Sequence, residues 1–187
     1  SANKSADDVA DGLASYVVAE ARLLREIEVA NSEVGDVRDV TGEAEAEDAE
    51  QRLLVIELSL PVSKSDYRGR GARRRLRCEC AGLGTGAVVL CGPCTLWQQR
   101  KKRITELGGD PDDPDSITPE MECAPLFPTL EGGVPSKAKM VQAWNVLRPA
   151  GHPALGGHSP RRSGAKRRAR EGWDIQVIMV LGRWASS

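Results

Sequence analysis

Four of the five cysteines fall into two close pairs. One residue separates Cys78 from Cys80, Gly-Pro separates Cys91 from Cys94, and a glycine-rich stretch of ten residues lies between the pairs. Thiols in this pattern can wrap one tetrahedral ion, and zinc is the ion that such quartets commonly hold. The Cys-x-Cys pair is tighter than the usual Cys-x-x-Cys, so four reduced thiols and oxidised cysteines stay open as rival readings. Cys123 stands apart as a spare thiol. An odd cysteine count, with no signal-peptide pattern at the start of the sequence, points to a reducing compartment rather than a disulfide framework.

Lysine and arginine total 26 against 27 aspartates and glutamates, so the net charge of −1 says nothing about partners. The distribution says more. Cations gather at Arg68, Arg70, Arg73, Arg74, Arg75 and Arg77, again at Arg100 to Arg103, and again at Arg161, Arg162, Lys166, Arg167, Arg168 and Arg170. Blocks of this kind can form an electropositive surface for a polyanion, and each alone can equally be a solvated face. Hydrophobic residues at 40% and charged residues at 28% suit a globular domain. The apolar run Val177 to Leu181 falls far short of the roughly 20 residues a membrane span needs, so no crossing of a bilayer is expected.

The elements that must position these residues follow from periodicity. Val9, Leu13, Val17, Val18, Ala21 and Leu24 recur at helical spacing and predict one helix over about 6–30. The acidic stretch at about 33–50 has no apolar period and reads as a loop. Residues 53–60 read as a strand ended by Pro61, with Ser63 to Asp66 as its turn. A second break falls at 108–115, and a helix is expected over about 136–148 with Ser136 as its cap. Ser159 before Pro160 opens a further helix that ends near Gly172. Asp174 then caps a last helix, closed by Gly182. In the first of this pair Gly164, Ala165 and Ala169 predict close packing on one side.

The segment Gly157-His158-Ser159-Pro160-Arg161-Arg162-Ser163-Gly164-Ala165, followed by Leu181-Gly182-Arg183-Trp184-Ala185-Ser186, resembles the closing motifs of tyrosine recombinases, the phage-integrase family. Leu24-Arg25-Glu26-Ile27-Glu28 is similar to that family's Arg-x-x-Glu element. Leu60-Pro61-Val62-Ser63-Lys64-Ser65-Asp66 is similar to its lysine-bearing turn, in the form seen in eukaryotic mobile elements. Order and spacing agree across residues 25–187. Pro160 inside the His-x-x-Arg is a departure, compatible with a helix start.

The resemblance implies a catalytic set. Arg25 and Arg161 clamp the scissile phosphate, because fixed guanidinium groups match the charge that grows on its nonbridging oxygens. His158 donates or relays a proton there. Lys64 protonates the leaving 5′ oxygen, and the Trp184 indole N–H positions the nucleophile. That nucleophile is a tyrosine forming a 3′-phosphotyrosyl link. Neither Tyr16 nor Tyr67, the two tyrosines present, has the family's spacing, so these 187 residues by themselves are expected not to cleave DNA.

The implied fold is α+β: a mostly helical catalytic domain over 1–187, with a small antiparallel sheet carrying Lys64 and a cysteine-rich zinc insert at 67–98. The implied partner is double-stranded DNA, with tetramers usual in the family. The implied location is nuclear in a eukaryote and cytoplasmic otherwise, and Lys166-Arg167-Arg168 reads as an import signal or a DNA-facing helix. Two rival readings stay beside recombination and integration: a non-catalytic DNA-binding relic of a mobile element, and a zinc-dependent interaction module.

Overall fold

Helix α1 (Ala2–Arg22) is the element around which the others assemble, with α3 (Gly92–Glu106), α5 (Lys137–Val146) and α6 (Ser159–Arg170) packed along it. The structure, a computed structural model, describes residues 2–43, 54–60, 71–78, 80 and 90–184. Val17, Val18 and Ala21 of α1 are buried, as their spacing predicts, and Ala19 with them, whereas Val9 and Leu13 nearer its start are exposed. Trp144 of α5 is fully enclosed; its indole N–H donates to Ser15 Oγ at 3.0 Å, and Tyr16 meets its ring edge-on at 5.8 Å. A buried indole with its N–H satisfied is a core residue, and the T-shaped contact adds to its packing.

The single helix expected over 6–30 is in fact two. Leu23 adopts φ 54, the left-handed conformation that side chains other than glycine rarely take, and α1 stops there. The Leu24 N–H donates to Ala19 O at 2.8 Å, a bond that closes a helix end. Leu23 and Leu24 are both buried, and burial on each side of the kink holds the strained residue in place. Arg25 thereby leaves the helix interior and becomes the N-cap of α2 (Glu26–Ala30).

Among the described residues one antiparallel sheet forms, in the order β1 (Val37–Asp39), β2 (Val55–Leu60), β3 (Ala72–Arg77). Leu58 faces Val37 on one side and Arg74 on the other. Ile56, Leu58 and Leu60 face the core, as the period of two requires. Two expectations change here. The start of the acidic stretch is not a loop: Val34, Val37 and Val40 are buried, and the carboxylates around them terminate turns, Asp36 accepting from Glu33 N–H at 2.9 Å and Asp39 from Thr41 N–H at 2.9 Å. Residues 44–50 lie outside the described residues. The first basic block contains β3, in which Arg73, Arg75 and Arg77 face outward and Arg74 is buried.

The last two helices are α6 and α7 (Ile175–Gly182), with a short helix α4 (Pro119–Glu122) earlier in the chain. Asp174 caps α7 by accepting from Gln176 N–H at 2.7 Å, as expected. Ser136 likewise caps α5. For α6 the cap is His158; the Ser159 hydroxyl turns back to accept from Gly156 N–H at 2.8 Å and tightens the preceding turn. Gly164 is where α6 meets α1: a Cβ there would lie 2.1 Å from Glu20 O and 2.6 Å from Leu23 Cδ2. Gly164→Ala is therefore expected to cost about 3 kcal/mol, because the obstruction is backbone and cannot rotate away. Urea denaturation measures it, and a loss below about 1 kcal/mol would show that the helices part without strain.

Candidate functional site

Arg25 and Arg161 stand 161 − 25 = 136 positions apart in sequence and meet at one carboxylate. Glu28, a buried residue of α2, accepts the Arg25 backbone N–H on Oε2 at 2.8 Å, the helix-capping contact. Its Oε1 lies 3.4 Å from Arg25 Nη2 and 3.4 Å from Arg183 Nη1, and its Oε2 lies 3.9 Å from Arg161 Nη1. Sequence places this junction through a glycine. The Glu26 N–H donates to Gly157 O at 3.3 Å, and a Cβ on Gly157 would sit 2.3 Å from the Glu26 carboxylate, so the turn before α6 can lie directly on the start of α2.

Trp184 covers the cluster. Arg161 Cζ lies 5.1 Å from the centre of its ring, a cation–π contact, while the ring itself is partly exposed. Gly182 makes room for it, since a Cβ there would fall 2.4 Å from Trp184 Cε3. The residue between them, Arg183, holds the left-handed position at the end of α7, φ 53 and ψ 35. Arg74 closes the group from the sheet, donating to Val180 O at 3.0 Å near the end of α7. Burial holds the Arg74 guanidinium below its ordinary range; Arg183 and Arg161 push in the same direction and Glu28 opposes them. Burial lowers Arg161 as well, against Glu28 and together with Arg25 and Arg183. Arg25 Nε, Arg74 Nε, Arg161 Nε and both terminal nitrogens of Arg183 are buried without a hydrogen-bond partner among the described residues. Buried cationic donors left without acceptors favour an incoming anion.

His158 is exposed at the N-cap of α6, three residues before Arg161. Lys64 lies outside the described residues, in the segment joining β2 to β3. Tyr16 belongs to the packing of α1, its hydroxyl 3.4 Å from Ser163 Oγ of α6. Glu28, Arg74 and Arg183 are the members of the cluster that the sequence reading assigned no separate role.

The cysteines make a second centre. The Sγ atoms of Cys78, Cys80, Cys91 and Cys94 all lie within 4.8 Å of one another, close enough to hold a metal ion. Cys78 and Cys94 are 3.2 Å apart, Cys80 and Cys94 3.8 Å, and Cys78 and Cys91 3.8 Å. Metal–sulfur arms of about 2.3 Å in a tetrahedron separate sulfurs by about 3.8 Å. The Cys80 N–H donates to Cys78 Sγ at 3.3 Å, and Cys91 is the N-cap of α3. The quartet thus ties the end of β3 to the start of α3. Gly92 lets α3 approach α1 there, a Cβ falling 2.2 Å from Ala21 Cβ. Burial raises the Cys94 thiol, and it pushes Cys80 up to about 11. Burial acts upward on Cys78 too, but hydrogen bonds from Cys94 and the Cys80 N–H outweigh it and leave that thiol below its ordinary value. Cys123 is exposed and apart from the group.

Much of the charge in the three basic blocks is used within the molecule. Arg75 bonds the buried Glu57 at 2.6 Å, Lys101 bonds Asp112 at 2.6 Å, Lys102 bonds Asp11 at 2.7 Å, and Arg167 bonds Glu20 at 2.9 Å. Arg74, Arg103, Arg161 and Arg168 are buried. No helix of the described residues is long and apolar enough to cross a membrane. No protein-family model matches this chain, and no curated protein matches it either.

Proposed function

We propose that the chain is a catalytic domain of the tyrosine-recombinase type, which binds double-stranded DNA and grips one backbone phosphate in the Arg25–Arg161 cluster. The observation that carries the reading is the convergence of these two distant arginines on Glu28, the acidic partner that the Arg-x-x-Glu element supplies. Their guanidinium groups neutralise the nonbridging oxygens as a pentavalent phosphorus forms. His158, at the mouth of the same helix, serves proton transfer at that phosphate. Lys64 protonates the leaving 5′ oxygen. Trp184 holds Arg161 in position from one face and shields it from water. Tyrosine attack exchanges one phosphodiester for another, so the reversal needs no energy source. The metal at the cysteine quartet is proposed to be zinc, in a structural role, because four thiolates with no open position suit it. DNA-bound assemblies of several copies, tetramers in the family, go with this reading.

The test is a covalent adduct. A version extended along its own reading frame to the next tyrosine is incubated with a nicked duplex, from which a short fragment leaves and traps the intermediate. An adduct lost on Tyr→Phe, and reduced at least about 100-fold by Arg161→Ala, supports recombination. Steeply salt-dependent duplex binding with no adduct supports the DNA-binding relic instead, since the slope counts neutralised phosphates. Salt-independent or absent binding removes both and leaves the metal-dependent interaction module.

A further inference from the structure

We propose that Arg183 is a third phosphate ligand of this site, parked on Glu28 until the anion arrives. The inference rests on the phosphate-clamp reading and names a residue that the recombinase motifs leave without a function. Three observations carry it.

The first is distance. A charge-assisted bond from a guanidinium to a carboxylate normally spans about 2.7–2.9 Å, but Glu28 receives Arg183 at 3.4 Å, Arg25 Nη2 at 3.4 Å and Arg161 at 3.9 Å. One carboxylate is stretched between three guanidinium groups and satisfies none of them at full strength. The second is desolvation. Among the described residues, both terminal nitrogens of Arg183 are buried and without a hydrogen-bond partner. Arg74 adds a fourth cation beside these three, while Glu28 and the neighbouring Glu26 are the carboxylates at this junction, so cations outnumber carboxylates in the group.

The third is the backbone. Arg183 occupies the left-handed position at the end of α7 although Gly182, which adopts that conformation without strain, is the residue before it. Ending the helix one residue later places Gly182 under the Trp184 ring and aims Arg183 at Glu28. Strain held against an available glycine, in a residue with unmet donors, marks a position kept for a ligand rather than for stability. In the bound state Arg183 moves from Glu28 to the phosphate, whose oxygens take the vacant nitrogens. No bond is made or broken in this step.

The test uses inorganic phosphate as probe, read by calorimetric titration and by the melting temperature at matched ionic strength in chloride. The unaltered protein is expected to bind phosphate and to melt higher in it. Arg183→Gly is expected to weaken phosphate binding at least tenfold while melting no lower than the unaltered protein in chloride, because strain and repulsion leave together. Arg183→Lys keeps the charge without the fork and is expected to fall between the two. Lys137→Ala, an exposed cation at the start of α5 outside the basic blocks, is expected to change neither reading. If Arg183→Gly melts well below the unaltered protein in chloride, the residue is a structural partner of Glu28 and the proposal is overturned. If Arg183→Gly binds phosphate normally while Arg25→Ala and Arg161→Ala do not, Arg183 is no ligand and the two-arginine clamp stands. If the unaltered protein ignores phosphate, the clamp itself falls.

Discussion

Glu28→Gln is expected to remove about 3–5 kcal/mol of stability in chloride buffer, and phosphate or sulfate is expected to restore a large part of it. Glutamine preserves the shape of the side chain and an oxygen for the Arg25 N–H, so the capping contact survives. What disappears is the negative charge against which Arg25, Arg161 and Arg183 are held, in a site where Glu28 is only 8% exposed. Removing one partner of a buried ionic group leaves the others uncompensated, and solvent cannot reach them to offset the loss. A multivalent anion can. Urea denaturation in chloride, then in sulfate at the same ionic strength, measures both halves of the expectation. A variant as stable as the unaltered protein in chloride would mean that the arginines are hydrated and that the cluster is no anion site.

The second large effect lies at the cysteines. Protein purified without chelator is expected to carry one zinc ion, and Cys91→Ser to lose it, together with several kcal/mol of stability, or about 10 °C or more in melting temperature. The loss is large because the quartet joins the end of β3 to the start of α3, and both elements are tied to α1, β3 by the Arg22 guanidinium on Arg74 O and α3 by the close approach at Gly92. Cys123→Ser, on an exposed thiol outside the group, is expected to change neither metal content nor melting. The pH dependence has a definite sign. Burial lifts Cys80 to about 11 and Cys94 also upward, so both are protonated in the metal-free protein near neutrality. The ion must displace those protons, and its apparent affinity is expected to rise with pH and to fall as pH falls. Titration against a chromophoric chelator at several pH values checks this. A chain that binds no zinc and melts unchanged with chelator would make the quartet four reduced thiols.

How far the sequence can be read depends on which residues carry the signal. β2 was legible because Ile56, Leu58 and Leu60 recur at every second position, and the start of α7 because Asp174 is a cap; its end was not, since Arg183 rather than Gly182 takes the left-handed closing position. The break at Leu23 was not, since an apolar period runs through it and no glycine marks the left-handed turn. β3 was hidden because arginine occupies both its faces, which erases the period of two that identifies a strand. The same disguise covered Arg74. Of the candidate site, Arg25, Arg161 and Trp184 could be named from motifs, and the structure brings them together. The central position of Glu28 and the unmet donors of Arg183 are properties of distance and burial, which spacing along a chain does not express. The cysteine quartet was legible because ligand chemistry restricts spacing directly.

Helix α6 docks without a large hydrocarbon side chain. Its buried positions are Pro160, Arg161, Gly164 and Arg168, and it is held by Arg168 on Ala21 O, Arg167 on Glu20 and the glycine contact with α1. Peeling such a helix away exposes guanidinium and peptide groups far more than alkyl surface. Apolar hydration raises heat capacity and polar hydration lowers it, so the polar groups here offset part of the apolar contribution. Detachment of α6 is therefore expected to change the heat capacity less, for the area it exposes, than opening the apolar core behind it. The helix that carries Arg161, with His158 at its cap, is attached by a polar seam of guanidinium groups and a glycine contact, while the body of the domain is held by apolar burial.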